Sequence, residues 1–245
     1  MSNVVGIVPS RWSSTRFPGK PLHSIAGKPL IQHVWERCSE AGCFDQVIIA
    51  TDDMRIAELC FSFGAEIALT SSHHKSGTDR IAEVARKLKD ASLIFNIQGD
   101  EPLIEPLLLQ RLVRELTKKR EIQIITAATP LSSDAASIEH NVKVVLDSKG
   151  NALYFSRSRI PFLRAPGGVD FYKHLGIYGY RRKALLQFVR LQPGLLEQAE
   201  QLEQLRALEN GMKIRVIVSE SNSVGVDTLE DAIEVERLIL SGRSG

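Results

Sequence analysis

An alternation through the first 129 residues constrains the fold more than any other feature of this chain. Apolar runs of strand length at 3–8, 46–51, 65–70, 92–97 and 122–129 are separated by helix-like segments at 29–42, 52–64, 78–90 and 106–120. The helical segments carry their own punctuation: Pro29 opens the first and Gly42 closes it, an Asp opens the second and Gly64 closes it, and Ser76 or Thr78 caps the third. Strands that alternate with helices pair in parallel, with helices on both faces of the sheet. Ligands of such sheets bind beyond the carboxyl ends of the strands.

The rhythm changes after Thr129. Residues 142–157 read as two strands around a turn at Asp147–Gly150, and 172–180 is strand-like behind a Pro/Gly-rich loop. Helices at 181–190 and 195–209, a strand at 213–218 and a helix at 228–240 complete the chain. The expectation is one α/β domain over residues 1–245, with a β-rich insertion at about 130–190. Lys and Arg number 31 against 29 Asp and Glu, a balance that argues against a general nucleic-acid binder. The apolar stretches are too short for a membrane span. No basic lead or cleavage pattern precedes the first strand, so a cytoplasmic location is expected. Cys38, Cys43 and Cys60 show neither C-x-x-C nor zinc spacing and read as reduced and mostly buried.

The first strand runs into PSRWSSTRFPGKPL, residues 9–22, with three cations (Arg11, Arg16, Lys20) and three hydroxyls (Ser13, Ser14, Thr15). It misses the P-loop pattern, since Ser14 stands where the first glycine belongs and Pro21 replaces the Ser/Thr. Arginines with bidentate reach, a lysine and hydroxyl donors can nevertheless surround a polyphosphate; the alternative is a solvated basic loop. NIQGDEPLI, residues 96–104, places Asp100 and Glu101 at the end of the fourth strand. A carboxylate there, facing a polyphosphate loop, suits Mg²⁺, which takes one or two carboxylates plus phosphate oxygens. The alternative is a solvated turn before Pro102. Asp227, in VGVDTLEDAIEVERL, is a second acidic candidate. Its D-x-x-E spacing with Glu230 favours a helix cap on local sequence alone.

PSRWSSTRFPGKPL, ATDD, SGTDRIAEV, NIQGDEP, VKVVLD, ALYFSRSRIP, HLGIYGYR, LEQLRALENG and GVDTLEDAIEVE follow in order along nearly the whole chain. Jointly they resemble the 3-deoxy-manno-octulosonate cytidylyltransferases, the CMP-KDO synthetases of lipopolysaccharide biosynthesis. Departures are small: P-S-R where many members have P-A-R, Asp79 where Glu is common, and a shorter loop at 163–171. The resemblance implies a Rossmann-like sheet of the nucleotide-diphospho-sugar transferase type, CTP and KDO as substrates, Mg²⁺ as cofactor, and a homodimer formed through the β-rich region, with no nucleic-acid or membrane partner. It implies that Arg11, Ser13, Ser14, Arg16 and Lys20 handle the triphosphate, with Lys20 also catalytic, and that Ser76, Gly77, Thr78 and Arg80 lie near the cytosine. Asp100 and Asp227 become the magnesium ligands, reversing the cap reading of Asp227. Gln98 and Arg157 are expected at the sugar acid, Arg157 for its carboxylate.

Two further segments bear on the acceptor. Strand alternation at 172–180 puts His174, Gly176 and Tyr178 on one face, with Leu175 and Ile177 on the other. A sugar could lie across the bare glycine; equally, another backbone could pack there with His174 satisfied inside. In the helix expected at 195–209, Glu203 and Arg206 fall inside an apolar arc formed by Leu195, Ala199, Leu202, Leu205 and Leu208. A charge there needs a partner. Glu203 either pairs with Arg206 or, with Gln204, reaches the sugar hydroxyls, as the resemblance implies.

Overall fold

The computed structural model describes residues 3–13, 16–164, 169–220 and 224–242. Its first half follows the alternation: β1 (Asn3–Ser10), a short ribbon of β2 (Ser24–Ile25) and β3 (Lys28–Pro29), α1 (Leu30–Glu40), β4 (Gln46–Thr51), α2 (Met54–Ser62), β5 (Glu66–Leu69), α3 (Gly77–Lys87), β6 (Ala91–Asn96), α4 (Pro106–Lys118) and β7 (Ile124–Leu131). The punctuation acts as local chemistry requires. The Asp53 side chain accepts from Arg55 N–H at the start of α2, and Ser76 Oγ accepts from Asp79 N–H at the start of α3.

The second half contributes β8 (Lys143–Leu146), β9 (Ala152–Ser156), β10 (Phe171–Arg181), α5 (Arg182–Phe188), α6 (Leu195–Glu200), α7 (Leu205–Glu209), β11 (Ile214–Val218) and α8 (Leu229–Leu240). The central sheet has the order β11-β7-β10-β6-β1-β4-β5. Pairings of β1 with β4 and β6, of β4 with β5, and of β7 with β11 are parallel. The long β10 is wedged antiparallel between β6 and β7, and the β8–β9 hairpin hangs from it. The strands of 130–190 therefore run into the central sheet instead of standing apart from it.

Packing explains how β10 fits. A Cβ on Gly179 would lie 2.5 Å from the Phe95 ring and 2.7 Å from Ile125. Only glycine lets the large, fully buried Phe95 rest against the neighbouring strand. The sheet buries one apolar layer on each face, under α1, α2 and α4 on one side and under α3 and α5 on the other. A third, smaller cluster seats α8 through Val226, Ala232 and Val235 against Ile25, Leu30 and Leu103. Cys38 and Cys60 are buried and Cys43 half-buried; burial pushes all three thiols up, to about 11 for Cys43 and about 12 for Cys60.

The helix expected at 195–209 is broken. Gln201 adopts left-handed backbone (φ 53°), ending α6 and leaving Leu202–Gln204 as a link to α7. A continuous apolar arc across that segment does not exist, and Arg206 pairs with Glu197 of the preceding helix at 2.5 Å, while Glu203 lies 3.8 Å away. The helix-cap reading of Asp227 is also corrected. Thr228 caps α8, accepting from Asp231 N–H, while the Asp231 carboxylate takes the N–H groups of Asp227 and Thr228. That leaves the Asp227 carboxylate outside the cap.

Candidate active site

Because β1, β4 and β6 are parallel, the segments following them emerge at one edge of the sheet. The loop after β1, the loop after β6, the start of α3 and the approach to α8 enclose a cleft of about 700 Å³. The loop turns at Gly19 (φ 72°) into a single 3-10 turn, Lys20–Leu22. A Cβ on Gly99 would stand 2.9 Å from the Pro9 carbonyl, so glycine is what allows the loops after β1 and β6 to touch.

Lys20 is the centre of the arrangement. Its largely buried ammonium donates to Asp100 Oδ2 at 2.7 Å, to the Val226 carbonyl at 2.9 Å and to Asp227 Oδ1 at 3.2 Å. Arg16, an exposed side chain, reaches Asp227 Oδ2 at 3.0 Å. The Val226 N–H donates to the Asp100 carbonyl at 2.8 Å, tying the approach to α8 to the loop after β6. Residues 80 and 207 positions from Lys20 thus meet on one cation. Arg11 and Ser13 line the same cleft. Ser14 lies outside the described residues.

The opposite wall comes from α3. Ser76, Gly77 and Arg80 line the cleft. Arg80, 4% exposed, is held by Asp52 at 2.9 Å and by Thr70. Thr78 does not face the cleft in this structure; its hydroxyl donates to Glu203 across the α6–α7 link. His74 also lines this wall, with Nε2 2.6 Å from a Glu83 carboxylate oxygen. The Ser71 N–H and His74 together hold the Glu83 carboxyl down at about 2. Sequence reasoning missed His74, Glu83 and the supporting role of Asp52. The ATDD motif contained Asp52, but nothing local indicated that it would reach Arg80.

A second group of residues lies beside the cleft, joined to it by Gln98. Gln98 lines the cleft and donates from Nε2 to the Gly176 carbonyl at 3.1 Å. The side-chain alternation along β10 persists through a bulge between Leu175 and Tyr178. The His174 and Tyr178 rings sit 5.3 Å apart, while Leu175 and Ile177 join the core on the other face. Thr126 Oγ1 contacts the Ile177 carbonyl at 2.6 Å and His174 Nε2 at 3.0 Å. With the hydroxyl proton given to the carbonyl, His174 donates from Nε2. The imidazole is enclosed although the residue keeps some exposed surface, and burial pushes its pKa down to about 3. The buried Tyr178 hydroxyl lies beside the Thr126 side chain, which also contacts His174. Burial also pushes the Glu203 carboxyl up, against the hydrogen bond from Thr78.

Arg157 follows directly on β9 and faces the α6–α7 break. Its Nε donates to the Glu200 carbonyl at 2.9 Å and its backbone N–H to the Glu200 carboxylate at 2.9 Å. Gln204 forms the cap position of α7. The structure therefore brings Arg11, Ser13, Arg16, Lys20, Ser76, Gly77, Arg80, Gln98, Asp100 and Asp227 to one cleft. His174, Tyr178, Glu203, Gln204, Arg157 and Thr78 do not line it.

The donor set also decides what metal would suit. Among the described residues no three His, Cys, Asp or Glu side chains converge. Two carboxylates do converge on one point of positive charge, the Lys20 ammonium. Two carboxylates completed by phosphate oxygens and water are what Mg²⁺ accepts.

A parallel-rich sheet with a cation-lined cleft at its carboxyl edge defines a nucleotide-handling α/β protein. The sequence profile of the family described as Cytidylyltransferase matches residues 5–214. A 3-deoxy-manno-octulosonate cytidylyltransferase of Myxococcus xanthus is 49% identical over 236 residues, 96% of each chain. Another, of Syntrophobacter fumaroxidans, is 52% identical over 234 residues, 93% of each chain. A solved structure described as CMP:2-keto-3-deoxy-manno-octonic acid synthetase complexed with CTP superposes with a TM-score of 0.95 at 39% identity, covering 98% of this chain and 100% of that one. The 4-diphosphocytidyl-2C-methyl-D-erythritol synthase of Anaerococcus prevotii, 13% identical with a TM-score of 0.64, shares the fold. The chain belongs to the 3-deoxy-manno-octulosonate cytidylyltransferase family.

Proposed function

We propose that this protein transfers the cytidylyl group of CTP to KDO, giving CMP-KDO for lipopolysaccharide biosynthesis, and pyrophosphate. One observation supports this reading most: Lys20, Arg16, Asp100 and Asp227 converge in a cleft of nucleotide size, in a chain of this family. The 2-hydroxyl oxygen of KDO forms a bond to the α-phosphorus of CTP and loses its proton to water. The bond from the α-phosphorus to the bridging oxygen breaks, and pyrophosphate leaves with the electron pair. Such transfers depend mainly on alignment and charge neutralisation.

Arg11, Arg16 and Lys20 would hold the triphosphate and offset charge on the leaving group. Lys20 would exchange part of its contact with Asp100 and Asp227 for phosphate oxygens. Those carboxylates would then hold Mg²⁺, which when bound supplies Lewis-acid stabilisation of the phosphate oxygens. Ser76, Gly77 and Arg80 form the nucleoside wall, and the fixed Asp52–Arg80 pair keeps that wall rigid. For the acceptor, Gln98 connects the cleft to the His174–Tyr178 face, where the Tyr178 hydroxyl would offer a donor. Arg157, Glu203 and Gln204 would complete this side. We further place the reaction in the cytoplasm and in a homodimer; no helix among the described residues is long and apolar enough to cross a membrane.

The test is pyrophosphate release from CTP with KDO, with and without Mg²⁺, beside sialic acid as the competing acceptor. Release with KDO that needs Mg²⁺ and falls roughly a hundredfold in Asp100→Asn is the expected result. Absence of release with KDO overturns the acceptor, and Asp100→Asn turnover equal to wild type overturns the metal assignment.

A further inference from the structure

We propose that Trp12 is the positioning residue of the phosphate loop, and that the turn from β4 into α2 braces both walls of the cleft through it. The proposal rests on reading the cleft as the CTP site. Trp12 lies half-buried in the loop after β1, between Arg11 and Ser13. Its carbonyl accepts from Gly19 N–H at 3.0 Å, and its indole covers Gly19 so closely that a Cβ there would fall 2.9 Å from the ring. The next residue is Lys20. The single glycine of this cationic loop therefore serves both a left-handed turn and the seat of the indole.

The other contact of the indole is with α2. The Arg55 guanidinium lies 3.4 Å from the Trp12 ring centroid, a cation–π stack. Arg55 is aligned by Asp53, with two N–H···O contacts of 2.9 and 2.6 Å, and Asp53 also caps α2. The preceding residue, Asp52, fixes Arg80 on the nucleoside wall. Adjacent carboxylates at the end of β4 thus support opposite walls: Asp52 through Arg80, and Asp53 through Arg55, Trp12 and Gly19 to Lys20. A loop with a single glycine gains part of its geometry from this stack.

The test uses the full chain and reads CTP binding before chemistry. In a Trp35→Phe background, Trp12 is the sole indole, and its fluorescence should change saturably as CTP is added. Trp12→Ala should weaken CTP binding and lower kcat/KM for CTP by about tenfold or more, with most of the loss recovered in Trp12→Phe. Arg55→Ala, a change at an exposed side chain, should raise KM for CTP severalfold and leave the thermal unfolding midpoint in place; it decides the matter if Trp12→Ala does not fold. Unchanged CTP affinity in Arg55→Ala, or in a folded Trp12→Ala, overturns the proposal. A wild-type protein that binds no CTP overturns the reading of the cleft instead.

Discussion

At the residue scale, adjacent side chains at 227 and 228 divide two tasks that local sequence merges. The D-x-x-E spacing makes Asp227 look like a cap, yet the cap is Thr228 with Asp231, a reciprocal pair one position along. The consequence is separable by mutation. Thr228→Ala should cost about 1 kcal/mol of stability by urea denaturation, with turnover of the folded enzyme close to wild type. Asp227→Asn should do the reverse, lowering kcat roughly a hundredfold with little change in the urea midpoint. If Asp227→Asn is chiefly a stability variant, the carboxylate belongs to the helix and not to the cleft.

His174 gives a residue-scale prediction in pH. Its ordinary pKa of 6.5 falls to about 3 in the folded protein because burial disfavours the imidazolium. The unfolded chain therefore binds a proton below 6.5 that the folded chain refuses. This contribution is full above pH 6.5 and is lost as pH falls towards about 3, at up to ~1.4 kcal/mol per pH unit. Glu83, held down at about 2 against an ordinary 4.5, adds its own loss only below 4.5. Burial raises the Glu203 carboxyl and works in the opposite direction above 4.5, so urea midpoints between pH 6.5 and 4.5 should decline less in His174→Gln than in wild type. Equal slopes in the two proteins would remove His174 as the source.

At the scale of elements, β10 carries both the largest surprise of the fold and its sharpest packing constraint. A Gly179→Ala variant forces a methyl group into Phe95 and Ile125, both fully buried, and should destabilise the protein by about 1–3 kcal/mol or more. Denaturant unfolding checks it; a neutral result would mean β10 does not sit between β6 and β7. The alternating strands and helices of the first half were legible because apolar period and caps are local signals, and the observed elements fall within a few residues of them. The place of β10 was not legible, because periodicity along a strand says nothing about which strands pair with it. The break at Gln201 escaped for a related reason: helix-forming residues continue through a link whose left-handed turn is set by the contacts of Arg157 with Glu200 and Gln201. The cationic loop and Asp100 were legible as residue types at a strand end. Their meeting on one lysine ammonium belongs to tertiary structure.

At the scale of the whole molecule, the surface of the 130–190 region bears on the proposed homodimer. Ile138, Leu153, Phe162 and Val169 are all more than half exposed, Phe162 at 88%. Single exposed apolar residues are ordinary; we propose that these four lie in the homodimer interface. Leu153 and Ile138 here stand on a fixed frame. The fully buried Lys143 of β8 donates to the Ile138 and Arg157 carbonyls, and Asp147 organises the hairpin turn through Lys149 and Asn151 N–H groups. Burial pushes the Lys143 ammonium pKa down, a cost accepted in holding these strands together. In the proposed dimer, apolar residues on such a frame would meet a second copy without the ordering cost that a loose loop would incur. A homodimer through this region would also seat Arg157 and the α6–α7 link near the joint, coupling acceptor binding to assembly. Light scattering on the purified protein should give twice the 27.2 kDa chain mass, and the pair Leu153→Glu with Phe162→Glu should return it to 27.2 kDa. A wild-type mass of one chain rules the dimer out, and a dimer that survives both charges places its interface on another face.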